Sequence, residues 1–246
     1  ETLLPLRRGL ADLGRMHGAA TRIMPQLDTT IVEPAAPARS GPLLSLRKPG
    51  LSADLNAGEM VALTGPSGVG KSMLLLQIAG LAGGSGVALR GAPPDSYPED
   101  ALRVAVSMLP QRSALIAGTV RDNLSLSGAF SDAQMWEALE TVALARDLRG
   151  REGLDTLLGE GGAGLSGGQS RRLALARNAM KKCDILLLDE PTEGLDAQTA
   201  DRMLSGLRAA LPDTLIIAAM HMGADHPLFT RTLTLSEGQG DLVTES

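Results

Sequence analysis

Residues 65–72 decide the fold, and they read Gly65-Pro66-Ser67-Gly68-Val69-Gly70-Lys71-Ser72. The apolar run 60–63 before them predicts a strand, and residues 72–81 after them predict a helix. Glycines let the backbone curl until successive N–H groups face inward as an anion nest, and a helix N-terminus adds positive charge there. Lys71 supplies a full charge, and the Ser72 hydroxyl can ligate Mg²⁺. The stretch therefore predicts a phosphate-binding loop, with all eight residues as nucleotide contacts.

A second motif joins an apolar run to two carboxylates. It reads Ile185-Leu186-Leu187-Leu188-Asp189-Glu190, and its continuous apolar part predicts a strand covered on both faces. Ligands of open α/β sheets bind at the carboxyl ends of strands. We expect Asp189 to face Mg²⁺ and Glu190 to polarise the water that attacks a γ-phosphate. An ordinary surface turn also accommodates two such carboxylates, so the pair alone leaves both readings open.

A third motif, Leu165-Ser166-Gly167-Gly168-Gln169, lies just upstream of the second. It opens a predicted helix with small residues and a hydroxyl, which indicates a second anion site. One ATP cannot easily use both anion sites within one domain. Two domains packed head to tail can, because Ser166 and Gly168 of one would close over the nucleotide on the phosphate loop of the other.

The pattern along the chain predicts further elements. Short strands are expected at 87–89 and 104–106, and a last edge strand at 231–235. One helix is expected over 131–148, where Ser131 and Gln134 form a plausible capping box. The other expected elements are helices over 169–181 and 197–211 and a strand over 215–219.

These motifs, in this order, resemble the ATP-binding domains of ABC transporters over residues 43–240. The resemblance implies an α/β, P-loop NTPase fold, with an ABC-type ATPase core of mixed sheet plus a helical subdomain at about 112–180. It implies a Mg-dependent ATPase coupled to transmembrane transport, with ATP and Mg²⁺ as ligands. Its partners would be a second ABC ATP-binding domain, identical or related, and the transmembrane domains of an exporter.

The resemblance also assigns roles to single residues. Gln111 resembles the glutamine that contacts Mg²⁺ and water and senses the membrane part, and His221 resembles the switch histidine of the γ-phosphate. His226, followed by Pro227, is a poorer candidate. The implied catalytic residues are then Lys71, Gln111, Glu190 and His221, and the implied metal ligands are Ser72, Gln111 and Asp189.

The adenine end of the site departs from the family pattern. Lys48 stands where the family usually places an aromatic residue that stacks on the base. The few aromatic residues of the chain lie elsewhere in the sequence. Arg47 or Lys48 could instead lie over the ring through a cation–π contact.

The segments that flank the motifs point to an exporter. Residues 1–42 are expected to be an amphipathic helix (3–24) and a linker that follow a transmembrane part, at the cytoplasmic face of the bacterial inner membrane. The loop 159–162 resembles an exporter-type loop that touches the coupling helices. Together with the variant 193–196, which reads Glu-Gly-Leu-Asp, it most resembles the C subunit of the heterodimeric cysteine/glutathione exporter of cytochrome bd assembly.

Composition separates the alternatives. The chain has 246 residues and a net charge of −5, without a Lys/Arg-dense face, which disfavours nucleic acid as a partner. Its basic pairs, Arg171-Arg172 and Lys181-Lys182, are expected on solvated helix surface, and Cys183 is expected to be buried. A non-transport ABC ATPase of DNA repair or chromosome structure remains an alternative, as does a heterodimer subunit with weak turnover.

Overall fold

The computed structural model describes residues 41–112 and 114–236. The predicted helix 3–24 and most of the predicted linker lie outside these residues. Within them, ten strands form three sheets. The strands are β1 (Leu44–Lys48), β2 (Leu51–Leu55), β3 (Met60–Thr64), β4 (Val87–Leu89), β5 (Val106–Leu109), β6 (Gly118–Thr119), β7 (Leu157–Leu158), β8 (Ile185–Asp189), β9 (Leu215–Ala219) and β10 (Arg231–Thr234).

The central sheet is parallel, with strand order β10-β3-β9-β8-β5. Every residue of β8 and β9 is buried, as are the first four of β3. This is the burial expected when helices or a second sheet cover both faces. The predicted strands at 60–63, 185–188 and 215–219 are therefore confirmed, and β10 is the predicted edge strand.

A second sheet, of order β2-β1-β4, is antiparallel. In β2 the sequence Leu-Ser-Ala-Asp-Leu alternates buried and exposed residues, as expected for a strand with one covered face. The short pair β6-β7 is also antiparallel. The chain thus combines parallel and antiparallel pairing, in separate sheets.

Seven α-helices lie within the described residues, and none of them is long and apolar enough to cross a bilayer. The first is shorter than predicted, because Gly80 takes a left-handed backbone (φ +68°) just after it. The helices are α1 (Lys71–Ile78), α2 (Glu99–Ala105), α3 (Val120–Ser125), α4 (Asp132–Thr141), α5 (Ala145–Arg149), α6 (Gly167–Ala179) and α7 (Ala197–Ala210).

Two predicted elements are wrong in part. The strand expected at 104–106 begins only at Val106, because α2 continues through Ala105 and turns Leu102 into the core. The single helix expected over 131–148 is broken between α4 and α5, where Ala143 has φ +54°. The break lets Leu144 and Leu148 bury completely.

The capping box at the start of α4 is confirmed. The Ser131 hydroxyl accepts a hydrogen bond from the Gln134 amide at 3.3 Å, and the Gln134 side chain accepts one from the Ser131 amide at 2.9 Å. Trp136, in the same helix, lies against the Arg149 guanidinium, 5.0 Å from the ring centroid. Helices α3 to α6 occupy much of residues 112–180, and the division of this region as a separate subdomain stays a prediction.

Candidate nucleotide site

Four neighbouring strands of the parallel sheet end at one edge, and each leads into a predicted site segment. Strand β3 leads to Gly65, β5 to Gln111, β8 to Glu190 and β9 to His221. Backbone bonds continue beyond the strands, with the Glu190 amide donating to the Ala219 carbonyl at 3.0 Å. The sheet therefore gathers at one edge residues that are scattered along the sequence.

The loop at 65–72 has the backbone that its glycines predict. Gly65, Gly68 and Gly70 have φ of 141°, 78° and 103°, which non-glycine residues rarely adopt. A Cβ at Gly65 would lie 2.5 Å from the Leu235 carbonyl oxygen, so this glycine is also required by space. Lys71 is 6% exposed, and its Nζ donates to the Gly65 carbonyl at 2.8 Å. The loop thus combines a curled backbone, a helix N-terminus and a buried cation, the arrangement that binds phosphate.

Glu190 lies at the centre of the gathered residues. Its carboxylate accepts a hydrogen bond from Gln111 Nε2 at 3.0 Å, and its other oxygen lies 2.7 Å from His221 Nε2. The Glu190 side chain is 15% exposed, while that of His221 is 44% exposed. Three residues selected from sequence are thus in direct contact, on the ends of three different strands.

The residues beside the loop fit a magnesium ion. Asp189 is 4% exposed and is the last residue of β8. A nearly buried carboxylate is costly unless it is paired, and a bound cation would pair with it. Oxygen atoms of Asp189, Ser72 and Gln111 are ligands of the hard type that Mg²⁺ prefers, with water completing the shell. No group of three His, Cys, Asp or Glu residues suited to a metal occurs in these ranges, and this donor set needs none.

The second anion motif is built around a capping box. The Ser166 hydroxyl accepts from the Gln169 amide at 3.2 Å, which leaves its own proton free to donate outward. Gly168 packs against the loop that follows β8, since a Cβ there would lie 3.0 Å from the Leu195 side chain. A cavity of about 690 Å³ opens beside this motif, and its described lining includes no residue of 65–72. Within the described residues, this cavity is lined by the second anion motif and by Gln111, but not by the phosphate loop.

The basic residues near the predicted adenine position are differently placed. Arg47 donates two hydrogen bonds of 2.7 Å to Asp54 and one of 3.0 Å to the Ala53 carbonyl, within the β1–β2 hairpin. These bonds lower the pKa of the Asp54 carboxyl and hold Arg47 in the hairpin. Lys48 is the half-buried last residue of β1, in a different sheet from β3. Its contact with adenine stays a prediction.

His226 and Cys183, the other two residues considered from sequence, have contacts and burial that indicate a structural role. His226 Nε2 lies 3.0 Å from Asp201 Oδ1, and its ring contacts Phe229 edge to face. Cys183 is 8% exposed, as expected, and burial raises the pKa of its thiol to about 11.

The expectation of a solvated Arg171-Arg172 pair is wrong. Lys181 and Lys182 are exposed as expected, but they follow the end of α6 rather than lie on it. Arg172 is 8% exposed and donates to Asp147 at 3.0 Å. The Arg171 side chain is 10% exposed and donates to backbone carbonyls beside the carboxylates of the site. Sequence reasoning missed this residue, because its partners are distant in the chain and most of them are backbone atoms.

The fold and the loop define a P-loop nucleotide-binding protein, and comparison with known proteins specifies its kind. The family described as ABC transporter matches residues 49–193. The chain belongs to the ABC transporter family, and its matched region is the ATP-binding, ATP-hydrolysing part. The predicted fold class and family are confirmed.

The similar proteins include the glutathione/L-cysteine transport system ATP-binding/permease protein CydC of Escherichia coli K12. It is 40% identical over 193 residues, which are 77% of this chain and 34% of that protein. CydC of Haemophilus influenzae is 37% identical over 194 residues, again 77% of this chain and 34% of that protein. The chain thus spans about a third of these relatives, and the predicted resemblance to this exporter subunit is confirmed.

Other similar proteins include a flippase and an exporter of known structure. The ATP-dependent lipid A-core flippase of Alcanivorax borkumensis is 31% identical over 75% of this chain and 33% of that protein. A solved structure described as a bacterial Atm1-family ABC exporter with ATP bound has a TM-score of 0.79 at 29% identity. It covers 94% of this chain, which corresponds to 43% of that chain.

Proposed function

We propose that this chain powers an ABC-type exporter by ATP-driven pairing with a second ATP-binding domain, and that Glu190 is its general base. The observation that carries the proposal is the carboxylate of Glu190, held between Gln111 and His221 at the edge where the phosphate loop lies. A base must reach the proton of the attacking water through a fixed geometry. Two contacts from separate strands provide that geometry.

In the proposed reaction, water attacks the γ-phosphate in line with the leaving oxygen. Lys71 and the amides of 65–72 stabilise the negative charge of the phosphates, and His221 adds a donor beside the γ-phosphate. Glu190 accepts the proton of the attacking water. A magnesium ion held by Ser72, Gln111 and Asp189 would neutralise charge on the β- and γ-phosphate oxygens.

The site of one chain is half of a working site in this proposal. Because the phosphate loop does not line the cavity beside the second anion motif, Ser166 and Gly168 would close over the nucleotide of the facing domain. Such closure and its release on hydrolysis would move a membrane partner between two states. The partner is then a second ABC domain, at the cytoplasmic face of a membrane, joined to transmembrane domains.

The resemblance to CydC favours a thiol such as cysteine or glutathione as the transported substrate. The similar proteins also include a lipid A-core flippase and a β-(1→2)glucan exporter, so the transported substrate needs its own test. Counting radiolabelled cysteine and glutathione inside inverted vesicles that carry the full transporter would test it. Equal uptake by vesicles with a Glu190→Gln chain would contradict ATP-driven thiol transport.

Two measurements on the purified chain test the enzymatic part. Glu190→Gln should abolish turnover while retaining ATP, because the amide keeps the shape of the carboxylate but cannot accept the proton. Wild-type ATPase activity per molecule should rise steeply with protein concentration if sites form between chains. Turnover persisting in Glu190→Gln would refute the general-base assignment.

A DNA-repair or chromosome ATPase is the second candidate, and it rests on the shared motif at 165–169. The net charge of −5 disfavours it, since nucleic-acid binding depends on neutralising phosphates. Fluorescence anisotropy with labelled duplex DNA distinguishes the two. Tight, salt-sensitive binding would favour the repair function over export.

A further inference from the structure

Arg171 lies in the first turns of α6, and its side chain contacts the backbone at the strand ends that carry the site residues. Its Nη1 donates to the Glu190 carbonyl at 2.7 Å, and its Nη2 donates to the carbonyls of Gln111 and, at 3.3 Å, Asp189. One planar guanidinium therefore bonds to the backbone of three residues of the candidate site. Glu190, Gln111 and Asp189 lie 19, 60 and 18 positions from Arg171 in the sequence.

The charge of Arg171 is nearly buried, and its carboxylate contact within the described residues is Glu193. The Arg171 side chain is 10% exposed, and Nη1 lies 3.1 Å from Glu193 Oε2, on a side chain that is 59% exposed. A buried guanidinium needs several acceptors because burial removes its water. Carbonyl oxygens and one carboxylate meet that need, in the fork geometry that arginine offers and lysine does not.

The backbone of Glu190 explains why such an anchor is needed. Glu190 has φ +53°, a left-handed conformation that is unfavourable for a residue with a Cβ. Such conformations persist where surrounding contacts enforce them. Here the Glu190 amide donates to the Ala219 carbonyl at 3.0 Å, and its carbonyl accepts from Arg171 at 2.7 Å. The direction in which the Glu190 side chain leaves the backbone depends on both bonds.

We propose that Arg171 is a positioning residue for ATP hydrolysis, which aligns the carboxylate of Glu190 with the amide of Gln111. It acts through the backbone carbonyls of Glu190, Gln111 and Asp189. Glu193 balances its charge. This inference rests on the proposed role of Glu190 as general base. It adds the physical reason why Glu190 and its hydrogen-bond donor, Gln111, keep their relative positions.

The test compares Arg171→Gln and Arg171→Lys with a matched control, Arg149→Gln. Arg149 pairs with Glu140 on the surface, where both side chains are more than half exposed. We expect Arg171→Gln to lower kcat for ATP by roughly tenfold or more, since it loses charge-assisted bonds to the site backbone. The KM for ATP should change less than about threefold, because the phosphate loop, which binds ATP in the ground state as well as in the transition state, is not altered. Arg171→Lys should be intermediate, because it keeps the charge but loses the fork.

Several results would overturn the proposal. These are an Arg171→Gln kcat equal to that of the Arg149→Gln control, a loss confined to KM, or a lysine variant no better than the glutamine variant. Thermal unfolding of each variant is recorded alongside. Should Arg171→Gln not fold, Glu193→Gln carries the test, because Glu193 is largely exposed. The Glu193→Gln variant should lower kcat by about threefold, because it removes one partly exposed ion pair with Arg171.

A double-mutant cycle gives the second readout. The effects of Arg171→Lys and Glu193→Gln on kcat should be non-additive, because the two side chains interact directly. Additive effects would contradict the proposal. Glu190→Gln is measured in parallel: if it retains turnover, the proposed function fails, whereas an inactive Glu190→Gln beside a fully active Arg171→Gln refutes the positioning role alone.

Discussion

Replacing His221 by alanine tests the arrangement around Glu190 most directly. His221 Nε2 lies 2.7 Å from a carboxylate that is 15% exposed, so the contact is short and is shielded from water on the Glu190 side, while the His221 side chain is 44% exposed. A hydrogen bond to a charged group contributes about 1.5–3 kcal/mol. Because each 1.36 kcal/mol in the barrier is a factor of about ten, we expect kcat to fall by roughly 10- to 100-fold in His221→Ala.

The matched control is His226→Ala, five residues further along the same loop. His226 pairs with Asp201 and contacts Phe229, so its loss should lower stability without affecting the barrier. Steady-state phosphate release at saturating ATP, with unfolding temperature measured on the same samples, separates the two effects. A His221→Ala kcat within threefold of wild type, or an equal loss in His226→Ala, would refute the reasoning.

Three further outcomes are expected. Gly206→Ala should destabilise the chain by about 1–3 kcal/mol, because a Cβ there would lie 2.1 Å from the Thr141 carbonyl oxygen. A urea titration measures the loss, with Gly83→Ala, which has open space at its Cβ, as the control. Native Cys183 should react with iodoacetamide at pH 8 about 100-fold more slowly than in urea, since a pKa of about 11 leaves little thiolate; equal rates would contradict its burial. EDTA should stop phosphate release and excess Mg²⁺ should restore it, whereas unchanged activity in EDTA would exclude the magnesium site.

The parts of the fold that sequence predicts are those specified by adjacent residues. The strand 185–189 is recognisable because every residue is apolar up to Asp189, and the phosphate loop because its glycines and Lys71 follow a fixed spacing. Parallel pairing then brings strand ends together without further information. Glu190 could thus be assigned to the site from its position after a strand, whereas Gln111 was assigned through the family resemblance.

The parts that sequence did not predict depend on distant backbone. Arg171 resembles any basic residue on a helix surface until the carbonyls of Gln111 and Glu190 are placed beside it. The break at Ala143 carries no glycine or proline, and it follows from the burial of Leu144 instead. Val104 was assigned to a strand because a three-residue apolar run cannot distinguish strand from helix.

The position of Trp136 makes the chain its own optical reporter. It is the single tryptophan of the sequence, and it packs against Arg149 and Gly153 among the helices that follow Gln111. Light at 295 nm therefore excites one indole that belongs to no candidate nucleotide contact. A change of its emission when ATP is added would record movement of those helices, while nucleotide bound without such movement would leave the spectrum unchanged. Coupling between the phosphate loop and the helical region can thus be timed by stopped flow without any label.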